Sequence, residues 1–240
     1  MKKRSRVVRE IIVEDKIFEL FPGFKRGLVI VCDRQNQSSN QELEAMLENE
    51  RLKQQAISFD HEFIKAWDEM HRRFGSNPNK FPPSIKSLLK RAHRGDKIPF
   101  INSAVCLFNF ISLKYLIPCG GDDVQKIKGN FRLGIAHGDE KFMPLGGSEI
   151  EYPEPDEIIY YDDLTKDVMC RKWNWRNGDF SKILENSRQL VINLDGAEIV
   201  PVEHIIKARD ELAELLVSKC QAKVELGLLD NNRRRLEIEL

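Results

Sequence analysis

Ile101-Asn102-Ser103-Ala104-Val105-Cys106-Leu107-Phe108-Asn109-Phe110-Ile111-Ser112-Leu113-Lys114-Tyr115-Leu116-Ile117-Pro118-Cys119-Gly120-Gly121 is the stretch that decides how this 240-residue chain folds. From 101 to 116 it is apolar on most faces, and a helix that is apolar all round belongs in an interior. The reading is therefore a central buried helix, ended by Pro118 and the glycine pair. Asn102, Ser103, Asn109, Ser112 and Lys114 make it too polar for lipid. No run in the chain approaches the roughly 18 apolar residues that a membrane-spanning helix needs.

Helical patterns flank this stretch on its N-terminal side. Residues 41–74 carry an apolar stripe at Leu43, Met46 and Leu47, then a second at Phe63, Ile64, Trp67 and Met70, with Asp60 as the expected N-cap and Gly75 and Pro78 as the stop. Pro82-Pro83-Ser84 opens a third helix, with Ile85, Leu88 and Leu89 inward, Lys86, Lys90, Arg91 and Arg94 outward, and Gly95 at its end. The N-terminal segment reads as strand-like at Val7-Val8, Ile11-Ile12-Val13 and 17–21, and 27–32 reads as a fully buried strand. Short strands are expected at 131–136, 157–161, 168–170 and 190–194, and a final helix at 202–220. These elements predict an α+β fold: a single domain over 1–220, a mixed β-sheet with flanking helices, and a loosely held charged tail over 221–240.

Lys and Arg total 38, Asp and Glu total 38, and the net charge is zero. That speaks against a DNA coat or a polybasic membrane binder. The opening Met-Lys-Lys-Arg-Ser-Arg has no apolar run after it, so the expected location is cytoplasmic. Five cysteines in no paired or clustered spacing read as reduced thiols, without a metal site or cofactor. Phosphate-loop, dinucleotide, nucleophile-elbow and zinc-protease motifs are all absent; His61-Glu62 begins the last of these, but Lys65 stands where its second histidine belongs.

Three constellations remain. Arg171-Lys172-Trp173-Asn174-Trp175-Arg176 interleaves basic residues with indoles, which suits stacking on a base and pairing with phosphate, or packing as an ordinary strand with Trp173 and Trp175 on one side. Asn102 and Asn109 lie on the apolar helix, either as caps or as contacts to a polar substrate at the glycine junction, where Asp122 and Asp123 follow as a turn. Basic clusters at 2–9, 72–73, 86–94 and 171–176 form an RNA-facing surface if they converge, and plain solvated surface if they do not. His137 and His204 stand alone, without a partner for catalysis.

The order of several segments resembles a known family. They are Lys97-Ile98-Pro99-Phe100-Ile101-Asn102, then 107–115, then Ile117-Pro118-Cys119-Gly120-Gly121-Asp122, then Phe142-Met143-Pro144-Leu145-Gly146-Gly147, Pro153-Glu154-Pro155-Asp156-Glu157 and 170–176. The family is the free-standing relatives of the B3/4 domain of the phenylalanyl-tRNA synthetase beta subunit, the module that hydrolyses tRNA wrongly charged with tyrosine. The resemblance implies tRNA or aminoacyl-tRNA as partner and a trans-acting editing hydrolase without aminoacylation activity. It assigns Asn109 to an editing-pocket asparagine, Asp179 to the neighbourhood of a glutamate that reads the tyrosine hydroxyl, and Ser187 to the neighbourhood of a pocket threonine. Gly120 and Gly121 would hold the aminoacyl end and open space, Trp173 and Trp175 would line the pocket or stack on the terminal adenine, and Arg171, Lys172 and Arg176 would contact RNA. Gly120 stands where the synthetase has a pocket histidine, so the catalytic residue is left open. Two other classes therefore stay in view: a non-catalytic module that binds RNA or an amino acid, and a small-molecule aminoacyl hydrolase.

Overall fold

The N-terminal half of the fold is set by two strands and five helices, the C-terminal half by short strands and one long helix. In the computed structural model, which describes residues 8–35 and 40–239, the elements run β1 (Val8–Val13), α1 (Asp15–Leu20), β2 (Lys25–Asp33), α2 (Gln41–Gln54), α3 (Glu62–Arg73), α4 (Ser84–Arg94) and α5 (Ser103–Tyr115). Then follow β3 (Cys119–Asp123), β4 (Phe131–Ile135), β5 (Ile158–Asp162), β6 (Val168–Arg171), β7 (Arg176–Asn177), β8 (Leu190–Gly196), α6 (Val202–Cys220), β9 (Lys223–Leu229) and β10 (Arg235–Glu239). The expected basic cluster at 2–9 falls largely outside the described residues.

The strands form two sheets rather than one. A mixed sheet has the order β10-β1-β4-β5-β6-β7, with β1 and β4 parallel and the other neighbours antiparallel. A second, antiparallel sheet has the order β3-β8-β2-β9. The fold is α+β, as expected. The tail expectation is corrected: β9 adds to β2 and β10 adds to β1, so residues 223–239 complete both sheets. Their alternation of charged and apolar residues is that of edge strands with one wet face.

α5 is the central helix. Its sequence is apolar on nearly every side, and Leu107, Ile111 and Leu113 are fully buried among α2, α4, α6 and β3. Each such side chain contributes about 1.5–3 kcal/mol relative to exposure. Asn102 is its N-cap, accepting from the Val105 N–H at 3.2 Å, and its amide donates to the Ile183 carbonyl. The helix ends at Leu116, held in the left-handed region (φ 54°), with Pro118 just beyond. The glycine pair is thus not a helix cap; it lies inside β3.

Three smaller corrections share one cause, which is tertiary packing. Residues 17–20 are helical, so that Ile17, Phe18 and Phe21 all reach the core. His61, not Asp60, caps α3, through Nδ1 accepting from the Phe63 N–H. Lys86 is buried and ion-paired to Asp68 at 2.5 Å, not outward.

Candidate functional site

A strand at the edge of a sheet leaves half its backbone polar groups free. β3 is such an edge, and its pairing with β8 alternates. Pro118 and Val124 bond toward β8, whereas the Asp123 N–H bonds outward to the Ser181 carbonyl at 2.9 Å. Gly121, two residues earlier on the same phase, therefore aims its N–H and C=O away from β8. They face a cleft of about 310 Å³ between α5 and residues 177–184, whose apolar wall includes Ile101, Val105, Phe108, Leu145 and Ile183. Asn109 is on that wall, and its side chain makes no hydrogen bond among the described residues.

On the other side of β3 lies a narrower pocket of about 50 Å³ between the two sheets. Directly opposed residues share a face, so Gly120 pairs with Asn193 and Arg26 with Asp195 on one side of the antiparallel sheet. Tyr160, Cys170 and Trp173 close the pocket from the mixed-sheet side. Gly121, Asp122 and Asn177 border both cavities, which makes Gly121-Asp122 the junction between them.

Asp122 is the titratable group at that junction. It is buried, its Oδ1 accepts from the Ser181 hydroxyl at 2.5 Å, and Arg26 lies on the same face. Burial pushes its carboxyl up to about 7, against the opposing pull of Ser181 and Arg26 and with a further push from Asp123. It therefore exchanges a proton near neutrality. The thiols nearby do not compete as nucleophiles, because burial pushes both Cys119 and Cys170 well up. No group of His, Cys, Asp and Glu able to hold a metal ion occurs among the described residues.

The two glycines differ. A Cβ on Gly120 would meet nothing within 4 Å, so Gly120 does open space. One on Gly121 would press on Ile192 at 3.1 Å and Ile183 at 3.2 Å; this glycine permits close packing and opens no room. Asp179 sits at the rim, bonded to Lys182 at 2.8 Å and to the Gly146 N–H, and its acidity is raised by Lys182. Ser187 is buried outside both cavities, bonding Asp123 and the Leu184 N–H. It braces the loop and does not reach the cleft.

The basic-aromatic run is mostly interior, and its assignment to RNA is corrected in part. Glu157 accepts from Arg171 at 2.9 and 2.8 Å and from the Lys172 ammonium at 3.1 Å, and both basic side chains are buried. Burial alone would raise the Glu157 carboxyl, but Arg171 and Lys172 outweigh it and hold it below its ordinary value. Residues 172–175 form a turn between β6 and β7, with Lys172 and Trp173 at positive φ, so the two indoles do not share a strand face. Trp173 is core, edge-on to Phe24, Phe21 and Trp67, with its N–H on Asp195 at 3.0 Å; Trp175 packs on Phe81. Trp173 still lines the narrow pocket. Only Arg176 of this run is exposed; it lines neither cavity and pairs with Glu151 at 3.3 Å. Arg73, in another expected cluster, is tied to Glu198 and the Leu20 carbonyl.

Sequence reasoning passed over Arg26, Tyr160 and Asn193, and read Asp122 as a turn. One signal was present: Arg26 is a charged residue beside the start of a fully apolar strand, and such a residue is paired or functional.

An α+β protein with a split cavity at a sheet edge is the class that this geometry defines. The chain matches the family model of the B3/4 domain over residues 66–221, more than half its length. It belongs to the B3/4 domain family. Its fold is similar to an N-terminal fragment of the phenylalanyl-tRNA synthetase beta subunit from Pyrococcus horikoshii, with a TM-score of 0.50 and 13% identity, covering 98% of this chain and 56% of that one. This chain thus spans little more than half the length of that fragment. No curated protein matches it. No helix among the described residues is long and apolar enough to cross a membrane.

Proposed function

We propose that the protein acts on aminoacyl-tRNA and hydrolyses the ester that joins amino acid to the terminal ribose. The observation that carries this reading is the junction at β3. There an outward Gly121 N–H and a carboxyl that titrates near 7 meet between two cavities of different character. The family and the fold similarity to a phenylalanyl-tRNA synthetase fragment support tRNA as the partner.

In the proposed reaction the Asp122 carboxylate takes a proton from water, and the hydroxide oxygen adds to the ester carbonyl carbon. The Gly121 N–H donates to the oxyanion that forms. Collapse breaks the acyl C–O bond, and the Asp122 carboxyl returns its proton to the departing ribose oxygen. The apolar cleft along α5 takes the terminal adenosine, with Asn109 available to its polar edge and Lys182 on its lining for phosphate. A non-catalytic binding module remains the second reading, favoured by the absence of an imidazole from the pocket lining.

The test is deacylation of a panel of mischarged tRNAs by the purified protein, with Asn109→Ala alongside. Turnover of at least one ester, slowed by the substitution, is expected. Tight, salt-sensitive tRNA binding with no turnover across the panel would leave the binding module instead.

A further inference from the structure

Three buried polar atoms with no hydrogen-bond partner among the described residues belong to residues lining the narrow pocket: Arg26 Nη1, Tyr160 Oη and Asn174 Nδ2. Arg26 is 1% exposed and Tyr160 3%. An orphaned buried donor ordinarily costs about 1–3 kcal/mol. The other two guanidinium nitrogens of Arg26, Nε and Nη2, donate to Asp195 at 2.7 and 2.9 Å. Asn193, opposite Gly120 on the same wall, makes no side-chain hydrogen bond among the described residues either. The pocket floor is built around Gly120, where no side chain intrudes.

Size and charge narrow the occupant. At roughly 10–15 Å³ per water-sized group, a cavity of about 50 Å³ takes about three to five non-hydrogen atoms. Serine, threonine and asparagine side chains are of that size; the rings of phenylalanine and tyrosine are not. Asp122 and Asp195 already face the single guanidinium of Arg26, so a third carboxylate would be repelled. Tyr160 is held as the neutral phenol, because burial pushes it up.

We propose that this pocket reads the side chain of the aminoacyl group and selects a short, neutral, hydrogen-bonding one, a hydroxyl or primary amide, over an aromatic one. The selection rests on the aminoacyl-tRNA reading above. The hydroxyl or amide oxygen accepts from Arg26 Nη1 and pairs with Tyr160 Oη, while the ester carbonyl lies at Gly121-Asp122.

Binding of non-hydrolysable 3′-aminoacylamido-3′-deoxyadenosines, measured by calorimetry, tests it. The seryl and threonyl conjugates are expected to bind about 10-fold or more tightly than the phenylalanyl conjugate. Tyr160→Phe removes only an unpartnered hydroxyl, and should erase most of the seryl preference over alanyl. Gly120→Val fills open space, and should weaken threonyl before alanyl. Equal or tighter phenylalanyl binding, an unchanged seryl-to-alanyl ratio in Tyr160→Phe, or no binding by any conjugate overturns the proposal. Deacylation of the matching tRNAs separates the two readings. Selective binding without cleavage sustains the pocket and defeats the hydrolase. Cleavage that favours aromatic esters does the reverse.

Discussion

Residues 171–176 and residues 119–122 are two short segments of opposite appearance. The first, with three basic residues and two tryptophans, has the composition of a nucleic-acid contact; the second is a cysteine, two glycines and an aspartate. Yet most of the first is spent inside the molecule, where Glu157 gathers Arg171 and Lys172 and Asp195 takes the Trp173 N–H. The second carries the free backbone edge and a carboxyl that burial pushes up to about 7. Composition reports what a side chain can do, whereas topology decides what it is left free to do.

The contrast breaks most sharply under two charge deletions. Asp122→Asn should lower the deacylation rate about 10²- to 10⁴-fold, the range for losing a general base, with tRNA affinity and fold retained. Single-turnover rates beside filter binding and circular dichroism check this. Glu157→Ala should do the opposite. It leaves two buried cations with only the more exposed Glu151 and Glu154 as partners, a loss of at most about 3–5 kcal/mol, seen as a lowered denaturant midpoint.

The same two carboxyls have opposite pH signatures. Asp122 has a folded value raised to about 7, so the folded chain keeps a proton that the unfolded chain releases near 4. Stability therefore falls as pH rises through that window, and Asp122→Asn should raise the melting temperature at pH 8 while flattening this limb. Glu157 is held below its ordinary value, so its stabilisation is complete above the unfolded value near 4.3 and is lost as pH falls through the lower, folded one. Glu157→Gln should flatten only that acid limb. Melting temperatures of both variants from pH 3 to 9 check the signs.

Asn109→Ala should cost about 10-fold in deacylation with little change in stability, since its amide has no partner to lose. The smallest effect is expected for Arg176→Ala, an exposed side chain near Glu151 and Trp175: about a 2- to 3-fold loss of tRNA affinity with a shallower salt dependence. A larger effect from Arg171→Ala on affinity, without loss of stability, would undo the comparison.

Much of the fold was legible. The last helix, 202–220, and the central one were readable because their apolar spacing is long and consistent. Residues 17–20 were not, because so short an apolar run fits either a strand or a helix until its partners are known. The paired glycines read as a stop because glycine usually punctuates; here Gly121 lets an edge strand run close to Ile183 and Ile192, and Gly120 leaves open space. Residues 221–240 read as tail because each of their strands has one polar face, and nothing local reveals that β2 and β1 wait for them. Of the residues singled out in the sequence, Asn109 and Gly121 line the apolar cleft and Gly120 and Gly121 line the narrow pocket. Arg26 and Tyr160 were hidden, since their role depends on two sheets meeting, which sequence spacing does not encode.

The most direct measurement is the pH dependence of single-turnover deacylation of seryl-tRNA and threonyl-tRNA mispairs by the protein and its Asp122→Asn variant. A rate that climbs with pH and levels off above about 7, and that collapses in Asp122→Asn at unchanged tRNA affinity, is the expected result. An Asp122→Asn protein as fast as the parent, or a parent that binds these tRNAs and cleaves none, would contradict a hydrolytic centre at this sheet edge.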